Sequence, residues 1–148
     1  MTDHTEFLRE AVRLAEANRA RGGQPFGAVM TLAGEVVATG VNDIAHSHDP
    51  TTHAEIEAVR AACRQLGRPL LAGSLMYASG YPCPMCLAAM LGAGVQTVYY
   101  AFGNEDGEPW GMSAEPAYRA LGLPVLPQPL PMIQLDTGVT AAQLYGGS

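Results

Sequence analysis

The sequence predicts an α/β fold, a mixed five-stranded sheet covered by helices on both faces. Two observations predict it. Apolar residues recur at helical spacing in some segments and as short strand-like runs in others. The two kinds then alternate along the chain in the order α-β-β-α-β-α-β-α-β, which fits a sheet with helices packed against it. A length of 148 residues favours one domain spanning 1–148, and a chain of that size buries a core without disulfide staples.

Each element has its own signal. In residues 5–19, Phe7, Leu8, Ala11, Val12, Leu14 and Ala15 form a broad apolar stripe, so a helix is expected. Arg21-Gly22-Gly23 ends it. The run FGAVMTLAGEVVATGV reads as two strands around Ala33-Gly34, a hairpin. A polar loop, NDIAHSHDPTT, follows. From about His53 to Leu66, the residues Ile56, Val59, Cys63 and Leu66 lie at helical offsets on one face. Cys63 on that stripe reads as core packing, since a free cysteine behaves as a small hydrophobe. SLMYAS is strand-like. PMCLAAMLGAG is a short helix with Pro84 near its start and Gly92 or Gly94 near its end. TVYYAF is a strand, and SAEPAYRALGL is a helix with Ser113 as its N-cap. LPQPLP is a rigid connector and MIQLD a last strand.

Composition narrows the function. Hydrophobic residues make up 48% of the chain, yet no apolar run approaches the ~18 residues of a membrane span. The N-terminal stretch MTDHTEFLREAVRLAEANRAR lacks the apolar block and cleavage site of a secretory signal, so a cytoplasmic protein is expected. Three cysteines, Cys63, Cys83 and Cys86, argue against a disulfide framework. The close pair points to a metal or redox site. The formal net charge is −6 and every cation is Arg. The absence of Lys excludes lysine Schiff-base chemistry and a P-loop lysine. The acidic balance disfavours nucleic acid, whose binding rests on neutralised phosphates. Arg60, Arg64 and Arg68 recur every four residues and read as a solvated helix face. His46 and His48 read as solvated loop histidines.

The chemistry concentrates in two stretches, THAEIEAVRAAC and YPCPMCLAAM. Zinc takes imidazole nitrogen and thiolate sulfur, and a catalytic site keeps one position open for water. His53, Cys83 and Cys86 offer three ligands with no strong fourth nearby. Two thiolates and a neutral imidazole leave Zn²⁺ with little net charge, so activating water calls for a base, and Glu55 is that candidate. Positions i and i+2 diverge within a helix. His53 and Glu55 therefore share a site only beyond a helix N-terminus, where DPTTHAE puts the helix start. The second motif also opens a helix. Two N-termini aimed at one ion favour thiolates and hydroxide. The competing readings are a redox C-x-x-C and a purely structural zinc site; the first leaves His53 and Glu55 unexplained.

His53-Ala54-Glu55 together with Pro82-Cys83-Pro84-Met85-Cys86 matches the H-x-E…P-C-x-x-C signature of zinc deaminases. The chain resembles the cytidine deaminase-like superfamily. PFGAV at residues 25–29, Asn42, DPTTHAEIEAVRAA and PCPMCLAAM are similar to its guanine deaminase and nucleoside deaminase branch, over about residues 25–102. The resemblance implies a three-layer α/β/α sandwich around a five-stranded sheet, assembled as a homodimer. It implies Zn²⁺ on His53, Cys83 and Cys86, with Glu55 as the proton shuttle. Asn42 is expected to hydrogen-bond the substrate's ring edge, with Phe26 and Ala54 bordering it. Many relatives carry Cys-Glu or Thr-Glu where this chain has Gly80-Tyr81, so Tyr81 is expected to shape preference. An acid of the guanine branch falls near Glu105 or Asp106, with Asp106 taken as the substrate contact. The C-terminus is expected over the site, through Tyr145.

The expected reaction is hydrolytic deamination of a small nucleobase-like heterocycle, guanine-like purines leading, with water as co-substrate. A tRNA adenosine deaminase and a non-catalytic zinc-stabilised interaction module are the alternatives. The acidic balance opposes the first, and the intact Glu55 opposes the second.

Overall fold

The computed structural model describes residues 3–126 and 128–147. The fold is a five-stranded sheet in the order β2-β1-β3-β4-β5. Strands β1 (Gly27–Leu32) and β2 (Glu35–Val41) form the expected hairpin. Its turn residues Ala33 and Gly34 both take positive φ, at 53° and 81°, which matches the right-handed twist of the flanking strands. Strand β3 (Leu75–Gly80) pairs antiparallel with β1. Strands β4 (Thr97–Phe102) and β5 (Met132–Gln134) continue the sheet in parallel. The sheet is therefore mixed.

Helix α1 (His4–Ala20) covers one face, burying Leu8, Ala11, Val12 and Ala15 against Val29, Tyr77 and Tyr99. Helices α3 (Ala54–Leu66) and α4 (Pro84–Ala93) cover the other, around Ala28, Met30, Met76, Met90 and Val98. Two glycines set how closely the layers approach. A Cβ on Gly27 would meet the Ala11 carbonyl at 2.3 Å, and one on Gly40 would meet the Ala54 carbonyl at 2.3 Å. The absence of side chains there lets both helices lie directly on the hairpin. On α3 the deepest residues are Ala54, Ala58 and Ala62. The larger stripe of Val59, Cys63 and Leu66 packs half-buried beside them. Small residues win the innermost positions because the backbones are so close.

Several expectations need correction. The loop after β2 contains a helical turn, α2 (Ile44–Ser47). The helix expected at residues 113–123 is shorter, α6 (Glu115–Ala120), and Ala114 occupies its N-cap position. Ser113 instead accepts from the Glu115 N–H at 3.1 Å. Short helical turns α5 (Asn104–Gly107) and α7 (Ala141–Tyr145) were not expected from the pattern. The connector LPQPLP includes Pro127, which lies outside the described residues. No helix among the described residues is long and apolar enough to cross a membrane.

Candidate active site

The segments that carry the two motifs meet at one end of the strands. Strand β3 runs out at Gly80, and Tyr81-Pro82-Cys83 lead directly into α4. Neighbouring β1 begins just after Phe26, and β2 ends just before Asn42. Helix α3 points its N-terminus back to the same place.

His53 and Cys83 are the N-cap residues of α3 and α4, both with extended backbone. This resolves the i, i+2 problem: His53 stands outside the helix, while Glu55 sits in its first turn. Cys83 Sγ lies 3.5 Å from His53 Nδ1, Cys86 Sγ 3.6 Å from the same nitrogen, and the two sulfurs are 3.6 Å apart. A tetrahedral zinc with bonds of about 2.3 Å to sulfur and about 2.0–2.1 Å to nitrogen requires S···N edges of about 3.6 Å and S···S edges of about 3.8 Å. The three donors fit that ion. Among the described residues they form the one His/Cys/Asp/Glu cluster placed to hold a metal. Cys83 and Cys86 share a proton: Cys83 is pushed down to about 4, chiefly by the Cys86 thiol and also by His53, while Cys86 is pushed up.

Glu55 is buried beside these donors. Burial raises its carboxyl from 4.5 to about 7. It lines a cavity of about 230 Å³ together with Phe26, Asn42, Ala54, Tyr81 and Cys83. Asn42 is buried, and its Oδ1 accepts from the Ile44 N–H at 3.1 Å. That bond leaves the amide NH₂ as a donor in the cavity the residue lines. Ala54 opens α3, where backbone N–H groups have no intrahelical partner.

Of two further expected contacts, Tyr81 stands at the cavity and Asp106 outside it. The Tyr81 ring lines the cavity, but its hydroxyl donates to the Val125 carbonyl at 2.7 Å. The hydroxyl is thus committed to protein. Asp106 does not line this cavity. Its Oδ2 accepts from the Gly103 N–H at 2.7 Å and from Gln134 Nε2 at 3.1 Å, and Glu105 beside it is exposed. Tyr145 is buried against Phe26 and Phe102, with its hydroxyl close to Gly80. The C-terminal helix therefore backs the wall of the cavity. Sequence reasoning missed the opposite wall, Met112, Ser113, Ala114 and Ala117. The small residues Ala114 and Ala117, three apart at a helix start, were the available signal.

The family model for the cytidine and deoxycytidylate deaminase zinc-binding region matches residues 1–102. The guanine deaminase of Bacillus subtilis (strain 168) is 39% identical over 134 residues, covering 90% of this chain and 86% of its own. The tRNA-specific adenosine deaminase of Agrobacterium fabrum is 36% identical over 124 residues, covering 84% and 79%. The solved Bacillus subtilis guanine deaminase superposes with a TM-score of 0.78 at 38% identity, covering 91% of this chain and 87% of that one. A guanine deaminase from Nitrosomonas europaea superposes with a TM-score of 0.83 at 22% identity, a likeness of fold.

Proposed function

The chain belongs to the cytidine and deoxycytidylate deaminase zinc-binding family and is a zinc-dependent hydrolase of C–N bonds; within that family we propose that it deaminates an uncharged nucleobase-like heterocycle, a guanine-like purine first. One observation carries the reading: a buried carboxyl, Glu55, stands beside the three metal donors in a small cavity that no Arg lines. A nucleotide substrate would need cationic groups for its phosphate. The cavity volume falls below the ~300–1,000 Å³ of sites for drug-sized ligands, in keeping with a free base.

Zinc on His53, Cys83 and Cys86 supplies Lewis acidity that makes a water nucleophilic near neutral pH. Glu55 takes the proton from the attacking water as its oxygen bonds to the amino-bearing ring carbon. The same carboxyl hands that proton to a ring nitrogen, then takes the second proton from the new hydroxyl on that carbon and passes it to the amine. The C–N bond breaks, ammonia leaves and a carbonyl remains. A carboxyl held near 7 by burial is suited to both taking and returning a proton. Asn42 donates its NH₂ to a ring acceptor, the free N–H groups at the start of α3 face the ring edge, and Phe26 borders the ring.

Two further points belong to this reading. Helix α4 is apolar all round, and its Ala88, Leu91 and Gly92 are exposed. A helix of that character is normally covered, which supports a homodimer. Metal-binding thiols need a reducing compartment, which supports the cytoplasm.

The likeness to tRNA-specific adenosine deaminase supports a second reading, deamination of an adenosine in tRNA. A net charge of −6 without Lys weighs against it. Ammonia release measured across purines, pyrimidines, pterins and triazines, beside inosine formation in tRNA, separates the two. Turnover of a purine base with unchanged tRNA is expected. Inosine in tRNA with no free base consumed would overturn the first reading.

A further inference from the structure

The turn that presents Cys83 is tied to the far wall of the cavity by two tyrosines running in opposite directions. The Tyr118 hydroxyl, on α6, donates to the Pro82 carbonyl at 2.7 Å, one residue before the metal ligand. The Tyr81 hydroxyl, on the ligand turn, donates to the Val125 carbonyl at 2.7 Å, in the connector just beyond α6. The two rings stand side by side, centroids 6.1 Å apart, and Tyr81 also meets Tyr100 edge-on at 5.0 Å. Tyr118 is 2% exposed and Tyr81 8%, so no water replaces either bond cheaply.

We propose that Tyr118, paired with Tyr81, is a positioning residue that locks the Tyr81–Pro82–Cys83 turn to α6, fixing at once the sulfur ligand and the wall formed by Ala114 and Ala117. The physical reason lies in what the turn otherwise lacks. Pro82 and Pro84 flank Cys83 and have no backbone N–H to donate, so this stretch makes few main-chain bonds of its own. The Tyr81 N–H reaches the Phe102 carbonyl at 2.9 Å, and the Leu87 N–H closes the first turn of α4 on the Cys83 carbonyl at 3.0 Å. Between those two anchors the Pro82 carbonyl is oriented by Tyr118 from outside the strand and the helix. Helix α6 has only six residues, too few to hold its place by its own backbone. Its place comes from Tyr118 and Tyr81, together with the Ala114 N–H on Asn104 Oδ1 at 2.8 Å. Ligand turn and cavity wall thus behave as one body.

The inference rests on Cys83 as a zinc ligand, and its test reads zinc as well as turnover. Zinc-loaded wild type, Tyr118→Phe, Tyr81→Phe, the double variant and Tyr77→Phe are challenged with a chromogenic chelator, and cobalt-substituted samples give the thiolate spectrum. Tyr77→Phe removes a buried hydroxyl that meets His4 Nδ1 on the opposite face of the sheet, so it controls for general loosening. Tyr118→Phe is expected to release zinc about tenfold faster and shift the cobalt bands. Its KM should rise more than its kcat falls. Tyr77→Phe should leave all three unchanged. The double variant is expected to fall short of the product of the single effects, since both bonds hold one body. Wild-type release and spectrum in Tyr118→Phe, or equal acceleration in Tyr77→Phe, would overturn the clamp alone. Zinc retained after Cys83→Ala and Cys86→Ala together would overturn the ligand assignment and the clamp with it.

Discussion

Four helix starts of this protein fall into two kinds. At α1, Asp3 accepts from the Glu6 N–H at 3.1 Å. At α7, Thr140 and Gln143 exchange bonds at 3.1 and 2.8 Å in a capping box. At α3 and α4 the N-cap positions hold His53 and Cys83, and neither side chain caps its helix. They turn to each other and to Cys86 instead. A missing cap typically costs ~0.5–2 kcal/mol. In return the free N–H groups and positive ends of two helices converge on the metal donors, where they favour thiolate and other anionic oxygen or sulfur. At α3 and α4 the N-cap side chains are given over to the metal donors instead of to their helices, a local rule broken at the functional site.

The largest break in that comparison comes from the ligands. Cys83→Ala with Cys86→Ala should abolish both zinc content and ammonia release, read by elemental analysis and turnover. Next comes pH in the metal-free protein. Glu55 has its folded value raised to about 7 from 4.5, so between those values the folded state holds a proton that the unfolded state has lost. Stability contributed by the protonated group is complete below about 4.5 and lost as pH rises through 7. In chelator-treated protein, Glu55→Gln should therefore raise the melting temperature at pH 8, by at most about 3 kcal/mol of stability, and change it little at pH 4. A raised melting temperature of equal size at both values would deny the buried charge. The smallest effects belong to the caps. Asp3→Ala should cost ~0.5–2 kcal/mol and leave zinc and turnover alone. His53→Asn places a favoured cap on α3, so thermal melts of the metal-free variant should show a gain of about 1 kcal/mol while zinc affinity is lost. Destabilisation of that metal-free variant would mean that His53 is not a sacrificed cap.

The legible parts of the sequence were those governed by local spacing. The hairpin followed from Ala33-Gly34, the long helices from their stripes, and the metal donors from residue types whose chemistry admits few alternatives. The alternation of elements also carried the sheet and its covering layers. What escaped depends on contacts distant in sequence. The cavity wall at Ala114 and Ala117 exists because Tyr118 reaches Pro82 and Ala114 reaches Asn104. The spacing of Ala114 and Ala117 hints at a close-packed wall, but no pattern within residues 113–123 announces those two bonds. Asp106 was assigned to substrate by resemblance, yet the turn at α5 uses it to hold Gly103 and Gln134. Tyr81 was assigned by its position beside the ligands, and the partner of its hydroxyl lies 44 residues away.

The central claim, that Glu55 moves the protons of a zinc-dependent deamination, is tested most directly by Glu55→Gln assayed for ammonia release from guanine, with zinc quantified in the same samples. The account predicts full zinc occupancy and a fall in kcat at or beyond the upper end of the ~10²- to 10⁴-fold span of general acid–base catalysis. Turnover within about tenfold of the wild type, under 1.4 kcal/mol of barrier, with zinc in place, would contradict it.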